Sequence, residues 1–115
     1  MLVEAGVDIF HISTRRFWDP EFEGSELSFA GWVKKLSGKT TITVGSVGMD
    51  SDEGEGGEPD RQSLTQLLKR LGDQEFDLVA VGRALLGDPA WAKKMHEGRY
   101  DEIQPFTPEA AAVLF

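Results

Sequence analysis

The sequence predicts an α/β fold laid out as a parallel βαβαβα segment, and two observations carry that reading. Three short apolar runs, Val7 to Ile12, Thr40 to Val44 and Leu78 to Val81, are rich in β-branched or aromatic residues and end near polar or glycine residues, as strands do. Segments with apolar residues at helical spacing alternate with them. Strand-to-strand intervals of roughly 35 residues match the helical crossover that joins parallel strands.

None of the three runs alternates cleanly between apolar and polar positions, which fits a parallel sheet covered on one face and filled on the other. The first and third also rhyme, Asp8-Ile9-Phe10-His11-Ile12 against Asp77-Leu78-Val79-Ala80-Val81, with an aspartate leading each. A first helix is expected from about Leu27 to Leu36, with Phe29, Ala30, Val33 and Leu36 on one side and Gly38 beyond its end. The second carries Leu64, Leu67, Leu68 and Leu71 on one stripe, with Asp60 as N-cap and Gly72 as its stop. A third opens at Asp88-Pro89, a capping residue followed by proline, closes before Gly98 and packs through Trp91 and Met95. Thr107-Pro108 repeats that start signal ahead of Ala110 to Phe115. Residues 49–60 are acidic and glycine-rich without an apolar period, and read as an exposed loop on the rim at the strands' C-terminal ends.

At 115 residues the chain holds a single domain, so all these elements share one core. Its 40% apolar and 28% charged residues mark a globular rather than a disordered chain. A net charge of −8 repels nucleic-acid backbones and anionic lipid, so neither is expected as the main partner. The absence of cysteine excludes disulfides, thiolate metal sites and cysteine nucleophiles. No signal-like or membrane-spanning run is present, which makes the cytoplasm the expected location.

The candidate chemistry lies just past the strands. Val44-Gly45-Ser46-Val47-Gly48 follows the second, and Val81-Gly82-Arg83-Ala84-Leu85-Leu86-Gly87 follows the third. Glycine directly after a parallel strand lets the backbone approach a ligand, and free amides there can donate to an anion. Arg83 adds a cation suited to phosphate, and Ala84 to Leu86 is where a short extra helical turn would fall. The alternative reading is that these glycines only make tight turns. Past the first strand, Arg15, Arg16 and Trp18 are candidates for ligand contacts at the rim. Against that, Phe17 and Trp18 cover the core while the arginines pair with Asp19, Glu21 or Glu23. His11 reads as a buried, hydrogen-bonded histidine, and His96, late in a helix, as a favourable charge for the dipole. The acidic run from Asp50 to Asp60 lacks the spacing of a calcium loop, and no metal site is assigned.

Three segments together, 10–18, 38–48 and 81–89, resemble the last third of NADH:flavin oxidoreductases of the old yellow enzyme family, and the likeness extends over nearly the whole chain. The resemblance implies that the three strands are the last three of a (β/α)8 TIM barrel, so that residues 1–115 form one partial barrel domain. It also implies that Gly45, Ser46, Gly82 and Arg83 hold the phosphate of FMN, that Arg15, Arg16 and Trp18 face substrate or flavin at the active-site mouth, and that NADH or NADPH is the electron donor. The family's substrate-gripping pair and catalytic tyrosine come mostly from earlier strands, so no catalytic residue is assigned, and Tyr100 does not match that tyrosine. A barrel of this type needs about 250 residues and eight strands. The expected function is therefore the FMN phosphate-binding C-terminal portion of such an enzyme, inactive alone, its other strands supplied by a complementing N-terminal barrel chain or a longer protein. The opening Leu2-Val3-Glu4-Ala5-Gly6 reads like the tail of a helix and hints at chain upstream. Two other readings stay open: a non-catalytic half-barrel that forms homo-oligomers and binds phosphate weakly or not at all, and a barrel acting on a sugar phosphate.

Overall fold

The computed structural model describes residues 2–48 and 61–107, with Glu109 and Ala112 beyond them, and gives 61–63 by backbone only. The expected acidic loop, the Asp60 cap and the helix ahead of Phe115 lie outside the described residues. Strand β1 (Ile9–Ser13), helix α1 (Phe29–Ser37), strand β2 (Thr40–Val44), helix α2 (Arg61–Gly72), strand β3 (Leu78–Val79), the short helix α3 (Arg83–Gly87) and helix α4 (Trp91–His96) follow one another. A 3-10 turn at Tyr100–Glu102 comes last. The three strands form one parallel sheet in the order β1-β2-β3. The mixed α/β architecture expected from the sequence is thus present, a three-stranded parallel sheet interleaved with helices.

Register explains the two faces of the sheet. Phe10 pairs with Thr41, Ile12 with Thr43, and Thr43 with Val79, so these residues share one face. Ile12 and Val79 pack on the core of Phe17, Ala30, Val47, Leu64, Leu67, Phe76, Ala84, Trp91 and Ile103. The opposite face carries Ile9, His11, Ser13, Ile42 and Leu78, and there Ile9 is 55% and Leu78 51% exposed.

That asymmetry corrects several expectations. The first strand does alternate, exposed at Ile9, His11 and Ser13 and half-buried at Phe10 and Ile12, because helices cover only one side of it. His11 is exposed on the uncovered side rather than buried. The strand also begins and ends later than expected. The third strand is shorter, since only Leu78 and Val79 find partners on β2, although the Ala80 N–H still donates to the Thr43 carbonyl at 2.9 Å.

Ser28 caps α1, its hydroxyl accepting from the Gly31 N–H at 3.2 Å, so the helix starts two residues later than the apolar spacing suggested. Ala30 is fully buried, whereas Phe29 is exposed and Leu36 is 80% exposed: the sheet is too narrow to cover the whole stripe. On α2, Leu64 and Leu67 are buried and Leu71 packs beside them, while Leu68 at the edge of the stripe is exposed. Helix α4 begins at Trp91, not at Pro89, because Asp88 spans a turn ahead of it, its carbonyl accepting from the Trp91 N–H at 2.9 Å and its carboxylate from the Ala90 N–H at 3.0 Å. The aspartate leading β3 ties the sheet to α1: Asp77 accepts from the Thr41 N–H at 2.9 Å and pairs with Lys34 at 2.9 Å. Among the described residues no helix is long and apolar enough to cross a membrane.

Candidate functional site

The C-terminal ends of three parallel strands must come out on one edge of the sheet, which brings three loops together by topology alone. The loop after β1 is fastened first. The Thr14 N–H donates to the Val44 carbonyl at 3.0 Å, the Thr14 hydroxyl reaches the Val44 and Arg16 carbonyls at 3.1 Å each, and the Phe17 N–H donates to Gly45 O at 2.9 Å. Phe17 is fully buried, and Trp18 meets it edge-on with centroids 5.0 Å apart.

These bonds draw the two loops so close that Gly45 cannot carry a side chain. A Cβ there would collide with the Thr14 carbonyl and stand 2.8 Å from its hydroxyl, at a φ of +152°. Ser46 follows in the left-handed region at φ 52°, rarely adopted by residues other than glycine. Its hydroxyl explains the position, since it donates to the Arg15 carbonyl at 2.9 Å and is approached by Arg83 Nη2 at 3.4 Å. Arg83, Ser46 and the Arg15 carbonyl therefore form a chain that joins the ends of β3, β2 and β1.

Gly82 differs from Gly45. No heavy atom lies within 4 Å of the place its Cβ would take, so the protein's own packing does not require glycine there. Arg83 begins α3 directly after it, where the sequence anticipated a short helical turn.

The four candidates of the grip, Gly45, Ser46, Gly82 and Arg83, thus stand on adjoining loops at one end of the sheet. The rim candidates divide. Arg15 contributes its carbonyl to the chain of contacts, with its residue exposed. Arg16 lies 3.6 Å from Asp19, the pairing weighed as its structural role. Trp18 is half-buried, and its carbonyl accepts from Arg70 Nη2 at 3.2 Å. Arg70 also pairs with Glu75 at 2.8 Å, and Glu75 accepts from the Ser28 hydroxyl at 2.9 Å, so one shielded network ties the rim loop to both helices. His96 is the exposed last residue of α4, and Tyr100 is half-buried in the 3-10 turn. Sequence reasoning passed over Thr14, whose position one residue after β1 and three carbonyl-seeking contacts make it the staple of the first two loops. The only signal was a β-branched hydroxyl residue at a strand end.

No family model matches the chain. Over 112 aligned positions it is 35% identical to an NADH oxidase of Thermoanaerobacter brockii. The chain is similar to an oxidoreductase. The alignment takes in 90% of this chain but spans only 15% of the length of that NADH oxidase.

Proposed function

We propose that the chain is the phosphate-holding portion of a flavin-dependent NAD(P)H oxidoreductase of the old yellow enzyme type. It holds FMN through Gly45, Ser46, Gly82 and Arg83 and is inactive without further barrel strands. The observation that carries this reading is the Arg83–Ser46–Arg15 chain at the strands' C-terminal ends, beside a glycine that faces open space. A phosphate needs backbone amides that a ligand can approach and a cation nearby, and the loops after β2 and β3 offer both. Gly82 leaves room for close approach, Arg83 supplies the charge, and the Ser46 hydroxyl orients the guanidinium. The likeness to an NADH oxidase supports a redox role with NADH or NADPH as electron donor. When bound, FMN would supply the hydride chemistry. This chain's residues anchor its phosphate end. The uncovered sheet face would then be the inner face of a larger barrel, completed by a complementing chain or by more of the same polypeptide.

Titration of the isotope-labelled chain with FMN and with riboflavin, followed by NMR, tests the reading. The amides of Gly45, Ser46, Gly82 and Arg83 should shift with FMN and hardly at all with riboflavin, which lacks the phosphate. Equal responses to the two flavins would sink it. Shifts with a sugar phosphate but not with FMN would favour the sugar-phosphate barrel.

A second reading is favoured by the exposure of Ile9 and Leu78 and by two apolar grooves flanking the sheet. One, of about 370 Å³, is lined by Leu2, Val3, Phe10, Val33 and Leu36, and the other, of about 330 Å³, lies beside β3 among Leu67, Leu71, Val79 and Trp91. In that reading the chain is a half-barrel that self-associates and binds phosphate weakly or not at all. Light scattering over a range of concentrations decides it: a monomer at every concentration counts against self-association.

A further inference from the structure

We infer that Asp88 is the positioning residue of the phosphate grip: its carboxylate clamps the stretch 102–106 to the corner between α3 and α4, and so holds Arg83 against Ser46. The inference rests on the FMN reading above.

A helix cap uses a side-chain oxygen on one or two nearby amides. Asp88 does more. One oxygen accepts from the Ala90 N–H at 3.0 Å, as a local turn would. The other accepts from Lys94 Nζ at 2.6 Å and from the Gln104 N–H at 3.0 Å, sixteen positions along the chain. The residue is only 4% exposed. Lys94 donates again to the Glu102 carbonyl at 2.8 Å, so both members of the ion pair grip the same late segment. Burial pushes the Asp88 carboxyl up, but the hydrogen bonds from Lys94, Gln104 and Ala90 outweigh it and leave the group below its ordinary value. A charged, fully engaged carboxylate therefore sits at the corner.

Two close approaches turn that corner into a clamp on α3. The backbone of Phe106 lies 2.8 Å from where a Cβ of Gly87 would stand, so the late segment lies directly against the last residue of α3. On the other side a Cβ at Gly48 would stand 3.1 Å from both the Ala84 methyl and the Trp91 indole nitrogen, which presses the β2 loop against α3 and α4. Asp88 itself closes α3 through its N–H to Ala84 O at 3.0 Å and opens α4 through its carbonyl, which accepts from the Trp91 N–H at 2.9 Å. Helix α3 has five residues, too few to hold its own direction. Its alignment, and with it the 3.4 Å approach of Arg83 to Ser46, depends on the segment that Asp88 fastens.

The test uses the full chain with Asp88→Asn and, separately, Lys94→Met, which removes the partner cation but leaves the carboxylate. Amide hydrogen exchange is followed at 84–87 and, around Pro105, at Gln104 and Phe106, and FMN and riboflavin affinities are measured by NMR titration. Both variants should speed exchange in those two stretches and leave that of Leu64 and Leu67 unchanged. The preference for FMN over riboflavin should fall about tenfold, as expected for misplacing a charge-assisted contact. Unchanged exchange at 84–87 in both variants overturns the clamp. Equal weakening of FMN and riboflavin also overturns it, because general loosening does not single out the phosphate. A wild-type chain with no preference between the two flavins overturns the phosphate reading instead, while the exchange data still decide whether Asp88 holds α3.

Discussion

At Gly45 a side chain has nowhere to go, because the Thr14 carbonyl occupies the place of its Cβ, whereas at Gly82 a methyl group meets nothing within 4 Å. Packing therefore accounts for the glycine at 45 and not for the one at 82. Gly45→Ala should destabilise the fold by about 2–3 kcal/mol through collision and positive φ, read as a lower urea midpoint with an unchanged slope. Gly82→Ala should cost no more than about 1 kcal/mol in the same measurement yet abolish the FMN-specific amide shifts. A large stability loss for Gly82→Ala with FMN response intact would return this glycine to the role of a turn residue. Spacing marked both glycines alike, since glycine after a strand signals close approach without saying what approaches. Ser46 could not be read at all in backbone terms: nothing local announces a left-handed serine, because its reason is the Arg15 carbonyl thirty-one positions earlier.

Elements were more legible than their faces. Leucine spacing located α2, and the apolar runs located all three strands to within a few residues, because periodicity reports which side chains share a side. It does not report how wide the covering surface is, and so Leu36, Leu68 and Ile9 are exposed. Asp88 was legible as a helix-start signal but not as a clamp, since its decisive partner, the Gln104 amide, lies far along the chain. Asp77, flagged only as a rhyme with Asp8, proves to join α1, β2 and β3. The hydrogen bond from Lys34 and then that from the Thr41 N–H hold its carboxyl below the ordinary range. A carboxyl with a lowered folded value binds protons more readily in the unfolded chain, so its contribution is complete above about pH 4 and vanishes as pH falls through the folded value. The stability difference between wild type and Asp77→Asn should therefore be constant near about pH 6 and shrink below about pH 4 in urea titrations. A difference that widens on acidification would contradict the assigned direction.

At the scale of the whole molecule, the sheet has among the described residues one covered side and one bare side. Among the described residues its hydrogen-bonding capacity is likewise unfinished at both outer strands, since there β1 and β3 each pair only with β2. Replacing Ile9 and Leu78 together by threonine should change the stability of the dilute chain by less than about 0.5 kcal/mol per site, because neither is buried. If the bare side mediates association, light scattering should show the double variant remaining monomeric at concentrations where wild type does not. Equal association of the two would place the contact elsewhere. The staple between Thr14 and Val44, thirty positions apart, and the reciprocal bonds of Thr41 with Asp77, thirty-six apart, also set a tempo. Among the described residues no pair of strands can zip up from a tight turn. Each must wait for a long stretch of chain to close on itself before the first contact stabilises anything, a search whose entropy weighs on the rate far more than on the final balance. One stitch fastens the strands near their ends and the other near their beginnings, so the slow events are those that close the sheet itself, and a ribosome releasing β1 well before β2 leaves a strand with no partner to wait beside.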